Sequence, residues 1–326
     1  MKIDIFNHIF PKAYFDKMVQ VAPKGKDMHK RVREVPSIAD LDDRFRRMDE
    51  FGGDYRQVIC LGSPPIEAFG PPPISTDMAK LGNDGMAELV AKHPDRFPGF
   101  IASLPMNDPE GLLREARRAV TELKAVGVQI FSNVLGSPLD KPETMPLFDL
   151  MVELDRPIWL HPARGADFPD YRSETKSHYE IWWTFGWPYE TSVAMAHLVF
   201  AGIFDRLPDL KIITHHLGGM VPYFEGRVGP GWDQLGTRTS DVDYFALLKK
   251  LKKRPVDYFH LFYADTAVFG SEAATICGLK FFGAENVLFA SDSPFDPERG
   301  SAYIRWTIDI THRQAPHHQR GALRHL

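Results

Sequence analysis

The sequence is short of several things, and each shortage removes a class of function. It has two cysteines, Cys60 and Cys277. The first closes a predicted strand and the second lies in a predicted helix, so a disulfide framework is excluded and both read as buried thiols of a cytoplasmic protein. There is no basic excess: 39 Lys+Arg against 43 Asp+Glu leave a net charge of −4, which excludes a phosphate backbone as primary partner. No apolar run is long enough for a membrane span, which needs roughly 20 residues; the most apolar stretch, 193–204, contains His197 and predicts a buried helix. The amino terminus reaches Asp4 and Asn7 before any signal-type apolar core forms, so nothing there predicts export. Low-complexity tracts and internal repeats are absent. What remains is a soluble composition, 44% hydrophobic and 25% charged, with enough length for a sizeable core.

Short β-rich runs recur at 2–6, 57–61, 99–103, 128–131, 157–160, 211–214, 260–264 and 287–290. Several are continuously apolar (Val58-Ile-Cys-Leu61, Ile158-Trp-Leu160, Val287-Leu-Phe-Ala290), as in parallel strands covered on both faces. Helical patterns lie between them. Asp108-Pro-Glu110 opens a helix predicted over 111–126, with Asp as cap and Pro in the first turn, and Gly127 is expected to stop it. A second is predicted over 142–154, ended by Asp155-Arg-Pro157. Eight such units predict an α/β fold of the TIM (β/α)8 type, in a single domain over 1–326. The rival doubly wound sheet would carry a glycine-rich turn after its first strand, whereas here that strand runs into Asn7-His8-Ile-Phe-Pro11. The loop Ser63-Pro-Pro to Gly70-Pro-Pro-Pro73 reads as a stiff rim segment.

Barrel chemistry comes from the carboxyl ends of strands, and those ends are unusually polar. They give His8, His161, His215-His216, Asp265 and Asp292, most beside Gly or Pro. One such histidine is commonly structural; several at one end of a barrel are harder to explain that way. Imidazoles with a carboxylate are the ligands a divalent metal such as zinc prefers, so His8, His161 and Asp292 are candidate metal ligands. His216 is the candidate general base or proton donor. His215 would point to the opposite face if the strand continues, and is expected to be structural.

Together, Met1-Lys-Ile-Asp-Ile-x-x-His8-Ile-Phe-Pro11, Leu160-His161-Pro162, His216-Leu-Gly218-Gly219-Met-Val-Pro222 and Phe289-Ala-Ser-Asp292-Ser-Pro-Phe295 resemble the amidohydrolase-related decarboxylases. Aminocarboxymuconate-semialdehyde, resorcylate and carboxyvanillate decarboxylases are known members of that family, beside some hydratases and hydrolases. The resemblance implies a zinc or manganese barrel enzyme with metal ligands at His8, His161 and Asp292, and a proton-handling residue at His216. It also implies two arginines on the substrate carboxylate, one lent by a neighbouring subunit; Arg44 and Arg227 stand at similar positions. One position departs: the family's opening His-x-His or Glu-x-His would place a ligand at residue 6, which is Phe6. Asn7 is adjacent, but strand alternation would point it away. Either a three-ligand site persists, as the otherwise intact constellation favours, or the chain has drifted to other chemistry.

The segment 164–190 is long for a βα loop and holds eight aromatics, Trp183 among them, which suit a flat conjugated substrate or a subunit contact. The tail from about 311 carries His312, His317, His318 and His325 and reads as a frayed end, with Gly321-Ala322 where the family has Asn-Ala. The expected function is metal-dependent decarboxylation of an aromatic or unsaturated acid, with His216 and Asp292 moving the proton and Arg44, Arg227 and Trp183 holding a small carboxylate, in a homodimer or higher homo-oligomer. Hydrolysis of an amide, ester or lactone uses the same ligands. A non-catalytic binding protein on a barrel that lost a ligand at Phe6 is the third reading.

Overall fold

In a computed structural model that describes residues 1–21 and 27–295, the eight predicted strands form. They are β1 (Lys2–His8), β2 (Tyr55–Cys60), β3 (Ile101–Ser103), β4 (Gly127–Phe131), β5 (Ile158–His161), β6 (Ile212–Thr214), β7 (Tyr263–Asp265) and β8 (Val287–Leu288). β1 pairs with β2, and β3 to β8 form a six-stranded sheet; every neighbouring pair is parallel. Backbone bonds join the two segments. Ile59 N donates to Gly99 O (3.2 Å) beside an Ile59–Phe100 bridge, and Ile5 N donates to Phe289 O (3.0 Å), so the sheet closes on itself as a TIM barrel.

The period-2 alternation of strands separates two apolar clusters. Val58, Cys60, Ile101, Trp159 and Ile213 face the barrel axis, with Ile5 and Phe6. Ile59, Ala102, Ile158, Leu160 and Ile212 face outward against the helices. The register of β1 shifts between Asp4 and Asn7, a bulge that brings Phe6 and His8 to the same inner face. Asn7 turns away as alternation requires, its amide donating to Asp4 O and Val58 O.

Local signals hold at helix starts more than at helix ends. Asp108 caps the helix Pro109–Thr121 by accepting from Gly111 N at 3.0 Å. That helix stops at Thr121, six residues before Gly127; Gly127 instead opens β4, where a Cβ would lie 2.4 Å from Pro157 O. The apolar stretch 193–204 is not one helix. The helix Gly186–Phe200 ends, Gly202 turns with φ 71°, and Ile203–Arg206 follows, while His197 is exposed and meets Asp140 at 3.0 Å. The seventh strand starts later than predicted because His260 still caps the helix Pro255–Phe259. Cys60 is buried and Cys277 half-buried, both free. No helix among the described residues is long and apolar enough to cross a membrane. The histidine-rich tail and its Gly321-Ala322 step lie outside the described residues.

Candidate metal centre and active site

Four strand ends deliver the polar groups to one point. His8 ends β1, His161 ends β5, His215 and His216 follow β6, and Asp292 lies four residues beyond β8. His8 Nε2 stands 2.9 Å from Asp292 Oδ1, His215 Nε2 3.5 Å from the same oxygen, and His216 Nε2 3.7 Å from Oδ2. Ligand atoms of His8, His161 and His215 lie within 4.8 Å of one another, as do those of His215, His216 and Asp292.

The outer nitrogens fix the tautomers, because a carbonyl or carboxylate oxygen can only accept. His8 Nδ1 donates to Leu61 O (3.1 Å) and His161 Nδ1 to Pro162 O (2.7 Å). His215 Nδ1 donates to Asp265 Oδ2 (2.5 Å). Each ring therefore turns its Nε2 inward, those of His8 and His215 toward the Asp292 carboxylate. His215 Nε2 and Asp292 Oδ1 are buried with no hydrogen-bond partner. A proton or a metal ion must sit between such atoms in a buried site, and imidazole nitrogens with a carboxylate oxygen are the donors a divalent metal takes. The residues present fit such an ion.

The ring environments shift proton affinities in opposite directions. Burial opposes charge on His215, but the neighbouring Asp265 and Asp292 outweigh it and raise its pKa to about 9. Burial, followed by the charge of His215, lowers His216 and pushes His161 well down. Burial works to raise Asp292, yet its bonds to His215, His216 and His8 hold it well below the usual carboxylate range.

His215 is the residue misjudged from alternation. His215 is still extended (φ −77°, ψ 156°) and follows Ile213 to the inner face, whereas φ 53° at His216 and 51° at Leu217 turn the backbone left-handed and swing His216 to the same side. The two rings lie tilted against each other, 3.7 Å between centroids, and both reach Asp292. Gly218 and Gly219 allow the turn: a Cβ on Gly219 would lie 2.3 Å from Pro188 O. Asp265 anchors the turn by accepting from His216 N (3.0 Å) and Ala267 N (3.1 Å) as well as from His215. The tandem His215-His216 was the available signal for this pair.

Phe6 is fully buried and fills the space a ligand at residue 6 would use. Its ring centroid lies 4.5 Å from that of His215, 5.0 Å from His8 and 5.9 Å from His161. Above the histidines opens a cavity of about 1150 Å³ lined by His8, His161 and Asp292 below and Trp182, Trp183 and Trp187 on the wall. Trp187 packs edge-on to His161 (5.5 Å) and lies roughly parallel to His216 (6.5 Å). Of the other loop aromatics only Tyr179 lines the cavity; Phe168, Tyr171, Phe185 and Tyr189 are exposed elsewhere.

The two candidate arginines are not brought to this cavity. Arg44 is 2% exposed, and its guanidinium donates to Ser37 O (3.1 Å), Gln57 Oε1 (2.6 Å) and His8 O. It braces the backbone of a candidate ligand rather than a substrate, and burial lowers its pKa to about 10. Arg227 is exposed over the Phe224 ring. The cations at the cavity mouth are instead Lys30, Arg31, Arg33 and Lys176, which no motif marked.

A family model described as Amidohydrolase matches residues 3–320. The chain is 30% identical over 312 residues to a 2-amino-3-carboxymuconate-6-semialdehyde decarboxylase of Dictyostelium discoideum, covering 90% of this chain and 82% of that protein. It is 34% identical over 267 residues to a gamma-resorcylate decarboxylase of a Polaromonas species, covering 79% and 78%. A dihydroxybenzoic acid decarboxylase from Polaromonas, solved with bound manganese and the inhibitor 2-nitroresorcinol, superposes with a TM-score of 0.75 at 27% identity, covering 96% of this chain and 93% of that one.

Proposed function

The chain belongs to the amidohydrolase family, and on that premise we propose that it is a metal-dependent carboxy-lyase acting on an aromatic or unsaturated carboxylic acid. The observation that carries this reading is the convergence of His8, His215 and His216 on Asp292, with His161 beside His8 and His215, beneath a tryptophan-walled cavity. His8, His161 and Asp292 would hold a divalent ion, zinc or manganese. When bound, such an ion polarises substrate oxygens or activates water.

The reaction adds a proton to the carbon bearing the carboxylate; the bond to the carboxyl carbon then breaks, its electron pair restores conjugation, and CO2 leaves. His216 is the proton carrier. Both its ring nitrogens lack hydrogen-bond partners and one faces Asp292 at 3.7 Å, which leaves the ring free to take or give a proton. Trp183 and Trp187 orient a flat substrate and exclude water. With Arg44 committed to backbone, the carboxylate falls to the cations at the mouth, and Arg227 is available only to a neighbouring subunit. We place this activity in a single cytoplasmic domain over 1–326, assembled as a homodimer or higher homo-oligomer.

The test is elemental analysis followed by CO2 release across hydroxybenzoates and muconate semialdehydes. At least one bound divalent ion per chain and turnover of one class support the reading. Less than about a tenth of an equivalent of metal, with no uptake on reconstitution, overturns it. Cleavage of amides, esters or lactones without CO2 release would assign the same ligands to hydrolysis.

A further inference from the structure

We propose that His215 supplies the ligand that Phe6 cannot, so that the metal site is His8, His161, His215 and Asp292. This rests on the metal-dependent reading above and deepens it. Phe6 can donate nothing, and its ring occupies the inner face of β1 against all three imidazoles. The His215 side chain is 2% exposed, and its Nε2 is a buried acceptor without a partner. Its Nδ1 proton is bound to Asp265 Oδ2 at 2.5 Å. A carboxylate behind the far nitrogen is the arrangement that orients a metal-ligating histidine and raises its basicity.

That Nε2 lies within 4.8 Å of ligand nitrogens of both His8 and His161, and 3.5 Å from the unpartnered Asp292 Oδ1. A nitrogen that close to a carboxylate oxygen shares a proton or a metal ion with it, and the ligand nitrogens of His8 and His161 within reach fit the metal ion. The set restores three nitrogens and one oxygen, with the third nitrogen arriving from the opposite wall of the barrel. His215 is extended and points inward from the end of β6, and the left-handed turn that begins at His216 sets that ring against the other oxygen of Asp292. Phe6 packs edge-on to His215, 4.5 Å between centroids, and holds its ring in place.

The experiment titrates Co2+ into the full chain by chelator competition and records the ligand-field absorption of the bound ion. His215→Ala is expected to weaken binding by more than the roughly 10–100-fold that loss of an outer partner costs, and Asp265→Asn by about that outer-partner amount. Adding Phe6→His to His215→Ala should recover most of the affinity, a rescue that a merely structural histidine would not give. His215→Gln, which keeps size and polarity, covers the case in which the alanine variant fails to fold. If His215→Ala and His215→Gln bind Co2+ like the parent with an unchanged spectrum, while His161→Ala does not bind, the inference is overturned and the proposed function stands. If the parent takes up no ion, both fall together.

Discussion

The floor of the cavity and its mouth are built on different principles. At the floor three of the histidines are tied from behind: Leu61 O holds His8, Pro162 O holds His161, and Asp265 holds His215. At the mouth, Lys30, Arg31, Arg33, Lys176 and Trp183 are exposed side chains on a short helix and a long loop. The floor can therefore set geometry to a fraction of an ångström, while the mouth offers charge and flat surface without a fixed pose. Reaction type belongs to the first and choice of substrate to the second.

The largest expected effect tests the floor. His161→Ala should remove the bound ion and drop CO2 release below detection, read by elemental analysis beside the assay. His216→Ala comes next: the ion stays and kcat falls by about 10²–10⁴. Loss of the ion in that variant would make His216 a ligand instead of the proton carrier.

The contrast also appears between two buried carboxylates. Asp292, ringed by histidines, is held well below its ordinary pKa. Glu67, in the short helix Ile66–Phe69 after β2, has neither oxygen bonded by another residue, and burial raises it to about 7. An acid with a raised folded pKa is stabilising while protonated, and that contribution is lost as pH climbs from its unfolded value toward 7. Glu67→Gln should thus be more stable than the parent at pH 8 by up to roughly 3 kcal/mol, and the gap should close near pH 4 in urea titrations. A gap independent of pH would show that Glu67 finds a partner. The smallest effect is expected at the mouth. Trp183→Ala should raise KM a few-fold with kcat unchanged, since it removes binding that ground state and transition state share. A fall in kcat instead would erase the division between floor and mouth.

The barrel was legible because several strands are apolar on both faces and the helices between them announce their starts, as Asp108 does. His8, His161, His216 and Asp292 were legible because barrel chemistry has a known end. What escaped notice broke local rules. His216 lies on a left-handed turn just past β6, which brings it to the same side as the extended His215, and that turn leaves only a pair of glycines in the sequence as its trace. Arg44 sat at the expected distance along the chain, yet nothing in its helix reveals that its guanidinium points at the His8 carbonyl. The mouth cations have no spacing rule, because exposed side chains answer to the substrate and not to the fold.

Both His216 (φ 53°) and Asp292 (φ 63°) stand on left-handed backbone, which non-glycine residues hold at a cost of about 1–3 kcal/mol each. Glycine at either place would relax the chain and silence it. On the proposed reading, selection for heat resistance alone would push these two positions toward glycine, against the demand for the side chains that serve the site.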